Sequence, residues 1–295
     1  MRKYLTIESL VNAAEQRNMT IGSLSLEEQA TTMEQPEREL YVRMDRQFEV
    51  MLQAVQKGSL PGQRSMSGLT GGEGYRMHSF ADRGEGICGA FVDRALARAM
   101  AVAGWNASMG KIVAAPTAGS CGILPGCLVS MYLDKGAERH NVVMSMFTAG
   151  AFGLAIARNA CIAGAQGGCQ AECGSAAGMA AAALVELMGG TPRQCADACA
   201  IAIANQLGLV CDPVAGLVEI PCVKRNAAGV MIALSSADIV LAGIEAKIPV
   251  DECIDAMKHV GDALPISMKE TALGGLAATP TAQKLKQQVF GASRK

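Results

Sequence analysis

The chain has 295 residues, of which 50% are hydrophobic but only 4% aromatic and 18% charged. Its formal net charge is −1 and it contains no basic run, so we expect neither nucleic acid nor a membrane as a partner. Eleven cysteines and an N-terminus without a cleavable apolar stretch predict a protein of the reducing cytoplasm rather than a disulfide scaffold.

Residues 1–60 are predicted to be helical and comparatively polar. An amphipathic first helix is followed by Ser25 and Glu28, whose spacing predicts a capping box that opens a second helix. After Pro36, apolar residues recur at spacings of three and four and predict a long helix that stops at Gly58. We interpret this segment as a cover or docking element beside the catalytic part of the chain.

Residues 61–78 read PGQRSMSGLTGGEGYRMH and include five glycines, which predict irregular structure. Backbone N–H groups in such a loop can form a nest for an anion, whereas the alternative reading is a flexible linker. His78 is a candidate catalytic base, although a lone histidine is commonly a solvated loop residue. The loop residues proposed to bind substrate are Ser65, Ser67, Gly68 and Thr70.

A second polar turn follows a helix predicted over residues 91–103 and ended by Gly104. The turn covers residues 116–122, is rich in Gly, Ser and Thr, and leads into an apolar helix, an arrangement that favours a small carboxylate ligand. It lacks the G-K-S/T ending of a phosphate-binding Walker loop. Its proposed substrate-binding residues are Thr117, Gly119 and Ser120, and the preceding Lys111 is a second candidate base.

From residue 141 onward the pattern predicts one helix after another, without strand-like alternation, so the fold class is all-α or nearly so. Thr191 and Gln194 predict a capping box. The apolar stretches 143–157 and 227–244 are interrupted by glycine or polar residues, and we interpret both as buried core helices. The predicted catalytic domain spans residues 61–290, followed by a tail at 291–295.

Three cysteines stand in Gly- or Pro-bounded sequence that predicts loops: Cys169, Cys211 and Cys222. Three thiolates from separate turns can converge on an iron–sulfur cluster and leave one iron open to substrate. The plainer reading is that they are small buried hydrophobes. Structural zinc is disfavoured because the chain lacks a short C-x-x-C pair; Cys195 and Cys199 are four residues apart and are interpreted as helix-facing core thiols.

Five segments resemble the α-chain of the iron–sulfur-dependent bacterial L-serine dehydratases (L-serine ammonia-lyases), and the resemblance covers nearly the whole chain. The segments are SGLTGG, APTAGSCGILPG, GGCQAECGSAAGMAAAA, LGLVCDPVAGLVEIPCVKRN and LGGLAATPTAQKL. The resemblance implies a 4Fe–4S cluster ligated by Cys169, Cys211 and Cys222. It also implies conversion of L-serine to pyruvate and ammonia without pyridoxal phosphate, the open iron acting as a Lewis acid on the substrate hydroxyl.

The family has a fused layout and a split layout, and this chain resembles the α-subunit of the split form, which implies a separate β-subunit and a hetero-oligomer. Some fused members end in a cysteine that reaches the cluster; here no cysteine follows Cys253. The base could be His78, Lys111 or a group of the β-subunit. Three alternatives remain at this point: a pyridoxal-phosphate dehydratase using Lys111, a helical scaffold whose thiols fill the core, and a related cysteine- or cystine-cleaving lyase.

Overall fold

The computed structural model describes residues 4–291, which form thirteen α-helices, one short π-helix and three 3₁₀-helices. Within residues 4–291 there is no β-strand, only an isolated bridge between Cys211 and Lys269, so the predicted all-α class is confirmed. Residues 292–295 of the predicted tail lie outside the described residues. The helices are α1 (Ile7–Gln16), α2 (Ile21–Met33), α3 (Glu37–Gly58), α4 (Glu73–Asp82), α5 (Ala90–Ala107), α6 (Ile123–Asp134), α7 (Arg139–Asn159), α8 (Gly164–Gly167), α9 (Ser175–Leu187), α10 (Pro192–Ala204), α11 (Cys222–Leu241), α12 (Val250–Ala263) and α13 (Pro280–Gly291).

Several predicted helix ends are correct and one start is wrong. The helix after Pro36 ends at Gly58, and Thr191 with Gln194 forms the predicted capping box of α10. However, α2 begins four residues before Ser25, because the Thr20 side chain caps it by accepting from the Ser23 N–H. Ser25 is therefore a buried residue inside the helix, and its predicted capping role is wrong.

Two glycine-based predictions also fail. Part of the loop predicted over residues 61–78 is helical, because α4 begins at Glu73. Helix α5 continues through Gly104 to Ala107. A Cβ at Gly104 would lie 3.0 Å from the Gln63 side chain, so this glycine permits a close contact inside the helix rather than ending it.

The centre of the fold is α9, in which eleven of thirteen residues are buried. A helix that is apolar on all sides must be covered on all sides, and α6, α7, α10 and α11 pack around it. Helix α7 is long and apolar enough to cross a membrane by length and composition, but 67% of its apolar window is buried. The prediction that this stretch is a core helix is confirmed.

The N-terminal helices pack onto this core through their helix starts. The N–H groups of Ile7 and Glu8, at the start of α1, both donate to the Asp251 carboxylate of α12 at 2.9 Å. The Gly22 N–H at the start of α2 donates to Glu186 of α9 at 3.1 Å. An acidic side chain from another helix thus satisfies donors that a helix leaves open at its first turn. A docking role for residues 1–60 stays a prediction.

Helices α3, α4 and α5 meet at a contact made only of small residues. A Cβ at Gly58 would lie 1.9 Å from the Ala101 carbonyl oxygen, and one at Gly74 would lie 2.6 Å from the Ala101 Cα. The obstacles are backbone atoms, which cannot rotate away as a flexible side chain can. The three helices therefore approach one another closely at this point, where only glycine at positions 58 and 74 fits.

We expect Gly58→Ala to destabilise the chain by about 1–3 kcal/mol, because the added methyl group overpacks a contact between backbones. Gly150→Ala is the matched control: Gly150 lies in α7, is exposed, and an added Cβ meets nothing within 4 Å. That substitution should be neutral or stabilise by roughly 0.5–1 kcal/mol through helix propensity. Urea unfolding followed by circular dichroism measures both, and equal midpoints for the two variants would contradict the packing argument.

Candidate metal and substrate site

The three predicted ligand cysteines lie in three different segments near the central helix α9 and differ in backbone structure. Cys211 lies in extended backbone, as predicted, but the loop prediction is wrong for the other two. Cys169 directly precedes the π-helix Gln170–Gly174, and Cys222 is the first residue of α11.

The fold brings two of these cysteines together with a carboxylate. The sulfur atoms of Cys169 and Cys211 and a carboxylate oxygen of Glu172 all lie within 4.8 Å of one another, which is a spacing that can hold a metal ion. Gly164 closes one side, since a Cβ there would lie 3.0 Å from Cys211 Sγ and 2.6 Å from Glu172 Oε2. The remaining predicted ligand, Cys222, is also buried and its pKa responds to the charge on Cys169.

One thiolate forms in this pocket and the other thiols stay protonated around it. Hydrogen bonds from the Cys173 and Cys211 thiols, aided by the positive charge of Arg225, lower the pKa of Cys169 to about 3. The Cys169 thiolate and burial in turn raise the pKa of Cys211 well above its usual range. Burial, followed by the Cys169 charge, raises the pKa of Cys222 to about 12.

This charge pattern fits a cationic centre. Burial raises the pKa of Glu172 to about 7, against a hydrogen bond from Thr117 that lowers it. Arg225 donates to Cys169 Sγ at 3.4 Å and is the one basic side chain that the described residues place in hydrogen-bond contact with these sulfurs. A single guanidinium compensates one thiolate, so ionising the others needs further positive charge, which a bound metal centre supplies.

The segment after α12 holds Cys211 in place. The Cys211 N–H donates to the Met268 carbonyl at 2.9 Å, and its own carbonyl accepts from the Glu270 N–H at 2.8 Å. The neighbouring Asp212 carboxylate accepts from the Leu276 N–H at 2.6 Å and from Arg225 at 2.8 Å. The C-terminal part of the chain therefore fixes both Cys211 and the arginine that faces Cys169.

The turn predicted to bind substrate is tied to two of the cysteine segments. The Thr117 hydroxyl donates to Glu172 at 2.8 Å, and the Asn226 amide donates to the Gly119 carbonyl at 2.8 Å. Asn226 also accepts from the Gly122 N–H at 2.8 Å and donates to the Cys222 carbonyl at 2.9 Å. The third predicted residue of the turn, Ser120, is fully buried, with its hydroxyl 3.2 Å from that of Thr117.

The first predicted substrate loop is tied to the third cysteine segment by Glu219. This carboxylate, three residues before Cys222, accepts from the Ser67 hydroxyl at 2.7 Å and the Thr70 hydroxyl at 2.8 Å. The Thr70 N–H is bound in turn by the Ser65 hydroxyl at 3.3 Å.

The anion nest expected in this loop is not formed. Six of the seven N–H groups from Ser65 to Gly71 already have an acceptor, because the loop's own hydroxyls and carbonyls, together with Glu73 and Ala107, take them up. Gly68, at the tip, has a φ of +75°, which favours glycine. The assignment of Ser65, Ser67, Gly68 and Thr70 to substrate binding stays a prediction.

The two predicted bases lie apart from these contacts. His78 is on α4, with 40% of its side chain exposed and Nδ1 3.0 Å from Asp82. Lys111 is exposed in the segment after α5. Within the described ranges, neither forms a hydrogen bond or ion pair with the site cysteines, Glu172 or Arg225, so their catalytic role stays a prediction.

Residues 16–277 match the family described as serine dehydratase alpha chain. The chain belongs to this family. It is 46% identical over 288 residues to the probable L-serine dehydratase alpha chain of Bacillus subtilis, covering 98% of this chain and 96% of that protein. It is 43% identical over 282 residues to the L-serine dehydratase alpha chain of Peptoniphilus asaccharolyticus, covering 96% and 97%. The L-serine dehydratase of Streptomyces coelicolor is 45% identical over 181 residues, which are 61% of this chain but 40% of that longer protein.

Four site residues were missed by the sequence analysis of this serine dehydratase family member. Cys173 had a signal, since it follows Cys169 at the same spacing of four that separates Cys195 from Cys199. Glu172, Glu219 and Arg225 had only their position beside a predicted ligand, which does not tell whether a side chain turns toward the site. Their partners are far away in sequence, and only the fold shows the contact.

We expect Asn226→Ala to destabilise the chain by about 1–3 kcal/mol, because Asn226 is fully buried and its loss leaves the Gly122 N–H and the Gly119 carbonyl without the hydrogen bonds that it makes to them. Hydrogen exchange at the Gly122 amide should accelerate in the same variant. Asn205→Ala is the control: its amide bonds the Ile201 carbonyl at an exposed helix end, and its loss should change stability by no more than about 0.5 kcal/mol. Unchanged exchange at Gly122 would show that Asn226 does not hold the turn.

Proposed function

We propose that this chain is the α-subunit of an L-serine dehydratase, which converts L-serine to pyruvate and ammonia. The observation that carries the proposal is the convergence of Cys169, Cys211 and Glu172 within 4.8 Å in a chain whose full-length relatives are named L-serine dehydratase alpha chains. The enzyme is a carbon–nitrogen lyase that works without pyridoxal phosphate.

The cofactor in this proposal is a 4Fe–4S cluster held by Cys169, Cys211 and Cys222. The donor set supports it: the thiols are buried and come from three segments, and the pKa values of Cys211 and Cys222 are raised where no added positive charge compensates them. Thiolate sulfur is the ligand that iron–sulfur clusters use. When bound with one iron open, the cluster supplies a Lewis acid for the hydroxyl group that leaves the substrate.

The residues of this chain bind and orient the substrate. Two polar segments hold the carboxylate and ammonium groups of L-serine. The first comprises Ser65, Ser67, Gly68 and Thr70, and the second comprises Thr117, Gly119 and Ser120. Fixing the substrate at both groups can lower the activation barrier by several kcal/mol, on the order of the translational and rotational entropy that binding has already removed. The proton on the substrate's Cα goes to His78, to Lys111 or to a group of the partner subunit.

A separate β-subunit completes the enzyme, and the two form a cytoplasmic hetero-oligomer. The support for a second subunit is the length relation: this chain covers 96% and 97% of two relatives named alpha chain, but 40% of the longer L-serine dehydratase from Streptomyces coelicolor. The α/β complex purified without air is therefore the material for the experiments below.

The ligand assignment predicts that Cys211→Ser abolishes the brown colour and the bound iron and sulfide of the anaerobically prepared complex, together with serine dehydration. Cys195→Ser is the control, because Cys195 is also fully buried but lies in α10 within the helical core. Absorbance and iron and sulfide analysis measure both variants. If the two lost cluster to the same extent, the cysteines at the site would have no special role as ligands.

The open iron predicts sensitivity to oxygen, since an iron that the protein does not ligate fully is the first to be lost. Exposure to air should lower the activity and the iron content together, and anaerobic incubation with ferrous iron and thiol should restore both. The measurement is pyruvate formation alongside iron content. Activity that persists in air and in the presence of a chelator would contradict the proposed cofactor.

A further inference from the structure

Glu219 is a buried carboxylate without a cation. Only 5% of it is exposed, and its oxygens accept from the hydroxyls of Ser67 and Thr70. No lysine, arginine or histidine among residues 4–291 forms an ion pair with it. A buried negative charge that is hydrogen-bonded but uncompensated is costly, and a cationic group of a ligand would offset that cost.

In the loop that contacts Glu219, most hydrogen-bond donors are already engaged within the protein. A hydroxyl carries one proton, and Ser67 and Thr70 both direct theirs to Glu219, at 2.7 and 2.8 Å. What Thr70 still offers a ligand is lone pairs. Because six of the seven N–H groups from Ser65 to Gly71 are also engaged, the loop has few donors left for a ligand, and Glu219 places a carboxylate behind it. On the exposed side, Arg64 and Arg76 bond the Gly68 and Gly71 carbonyls, and neither forms an ion pair with Glu219.

The other polar segment also meets a carboxylate, since the Thr117 hydroxyl donates to Glu172, but it differs in its backbone N–H groups. The N–H groups of Thr117, Ala118, Gly119 and Ser120 find no acceptor anywhere in residues 4–291. The carbonyl of Gly119 is taken by Asn226, whereas these four N–H groups are donors that the turn still offers a ligand. A carboxylate fits donors, and an ammonium group fits acceptors beside a carboxylate.

We propose that Glu219 makes the loop from Ser65 to Gly71 the binding site for the substrate's ammonium group, and that it is the residue by which the enzyme selects an amino acid over the matching hydroxy acid. This inference rests on the proposed function and divides its two polar segments between the two ends of the substrate. Glu219 acts both through its charge and by orienting the Ser67 and Thr70 hydroxyls. Its place three residues before Cys222, in the turn that opens α11, puts this selection beside the proposed ligand segment.

The test compares L-alanine with L-lactate, which are identical except that an ammonium group replaces a hydroxyl. Neither has a leaving group on the β-carbon, so both bind without reacting. Their dissociation constants are measured by anaerobic calorimetry on the α/β complex carrying its cluster, which makes the result independent of turnover. The wild-type complex should bind L-alanine more tightly than L-lactate. In E219Q, this preference should fall roughly tenfold or more, as expected for loss of a charged hydrogen-bond partner.

Three further variants separate a charge role from a structural one. E219D keeps the charge and should retain most of the preference. E186Q removes a carboxylate that anchors α2 elsewhere in the fold, and should leave the preference unchanged. Should E219Q fail to assemble, judged by cluster absorbance, T70V carries the test, because it removes acceptor lone pairs and must lower the same preference.

The outcomes distinguish this inference from the proposed function. If E219Q weakened L-alanine and L-lactate equally, the ammonium assignment would be wrong while the dehydratase stood. If the wild-type complex neither bound L-alanine nor converted L-serine, the proposed function would fail before any variant was compared. A preference that survived in E219Q and vanished in E186Q would also overturn the inference.

Discussion

The segment from Gly164 to Asn226 stabilises negative charge on a buried cysteine sulfur. Removing a thiolate from water is costly, and several thiolates side by side repel one another. The chain meets the first charge with hydrogen bonds from the Cys173 and Cys211 thiols to Cys169 and with Arg225. It supplies no second cation in contact with these sulfurs among the described residues. Loading the proposed metal centre would therefore release protons from the remaining thiols and would couple metal binding to pH and to folding.

Small residues are what allow the segments to come this close. The glycine and alanine content that packs α9 at the centre also lets the site loops touch: Gly164 lies against Cys211 and Glu172, and Gly275 lies against Asp212. A Cβ at Gly275 would lie 2.3 Å from the Asp212 carboxylate, and its φ of +58° favours glycine. The helical core and the site therefore depend on the same property of the composition.

Features that depend on neighbouring residues, such as helix bounds and caps, can be predicted from the sequence, whereas features that depend on contacts between distant segments cannot. Apolar spacing, the Thr191–Gln194 box and the end of α3 at Gly58 follow from nearby residues, and they were correct. Gly104 was misjudged because a glycine can end a helix or permit a close contact, and only the neighbouring Gln63 decides between them.

The same limit applies to the site. Cys169, Cys211 and Cys222 were chosen partly from their unusual sequence surroundings, while Glu219 gave no signal at all. Its partners, Ser67 and Thr70, precede it by about 150 residues, as the separations of 152 and 149 show. A glutamate near a cysteine is common in sequences and indicates no particular role. Only the fold shows that this glutamate contacts a loop distant in sequence.

Each polar segment is governed by a carboxylate carried on a cysteine segment. Glu172, which takes the Thr117 hydroxyl, lies one turn after Cys169, and Glu219, which takes Ser67 and Thr70, lies one turn before Cys222. Each acid therefore links one polar segment to the backbone segment that carries a neighbouring thiol. In the proposed enzyme, ordering the cysteines around the cluster would therefore also order the hydroxyls assigned to the substrate. Under that proposal, the cofactor would contribute to substrate recognition through the protein as well as through its own iron.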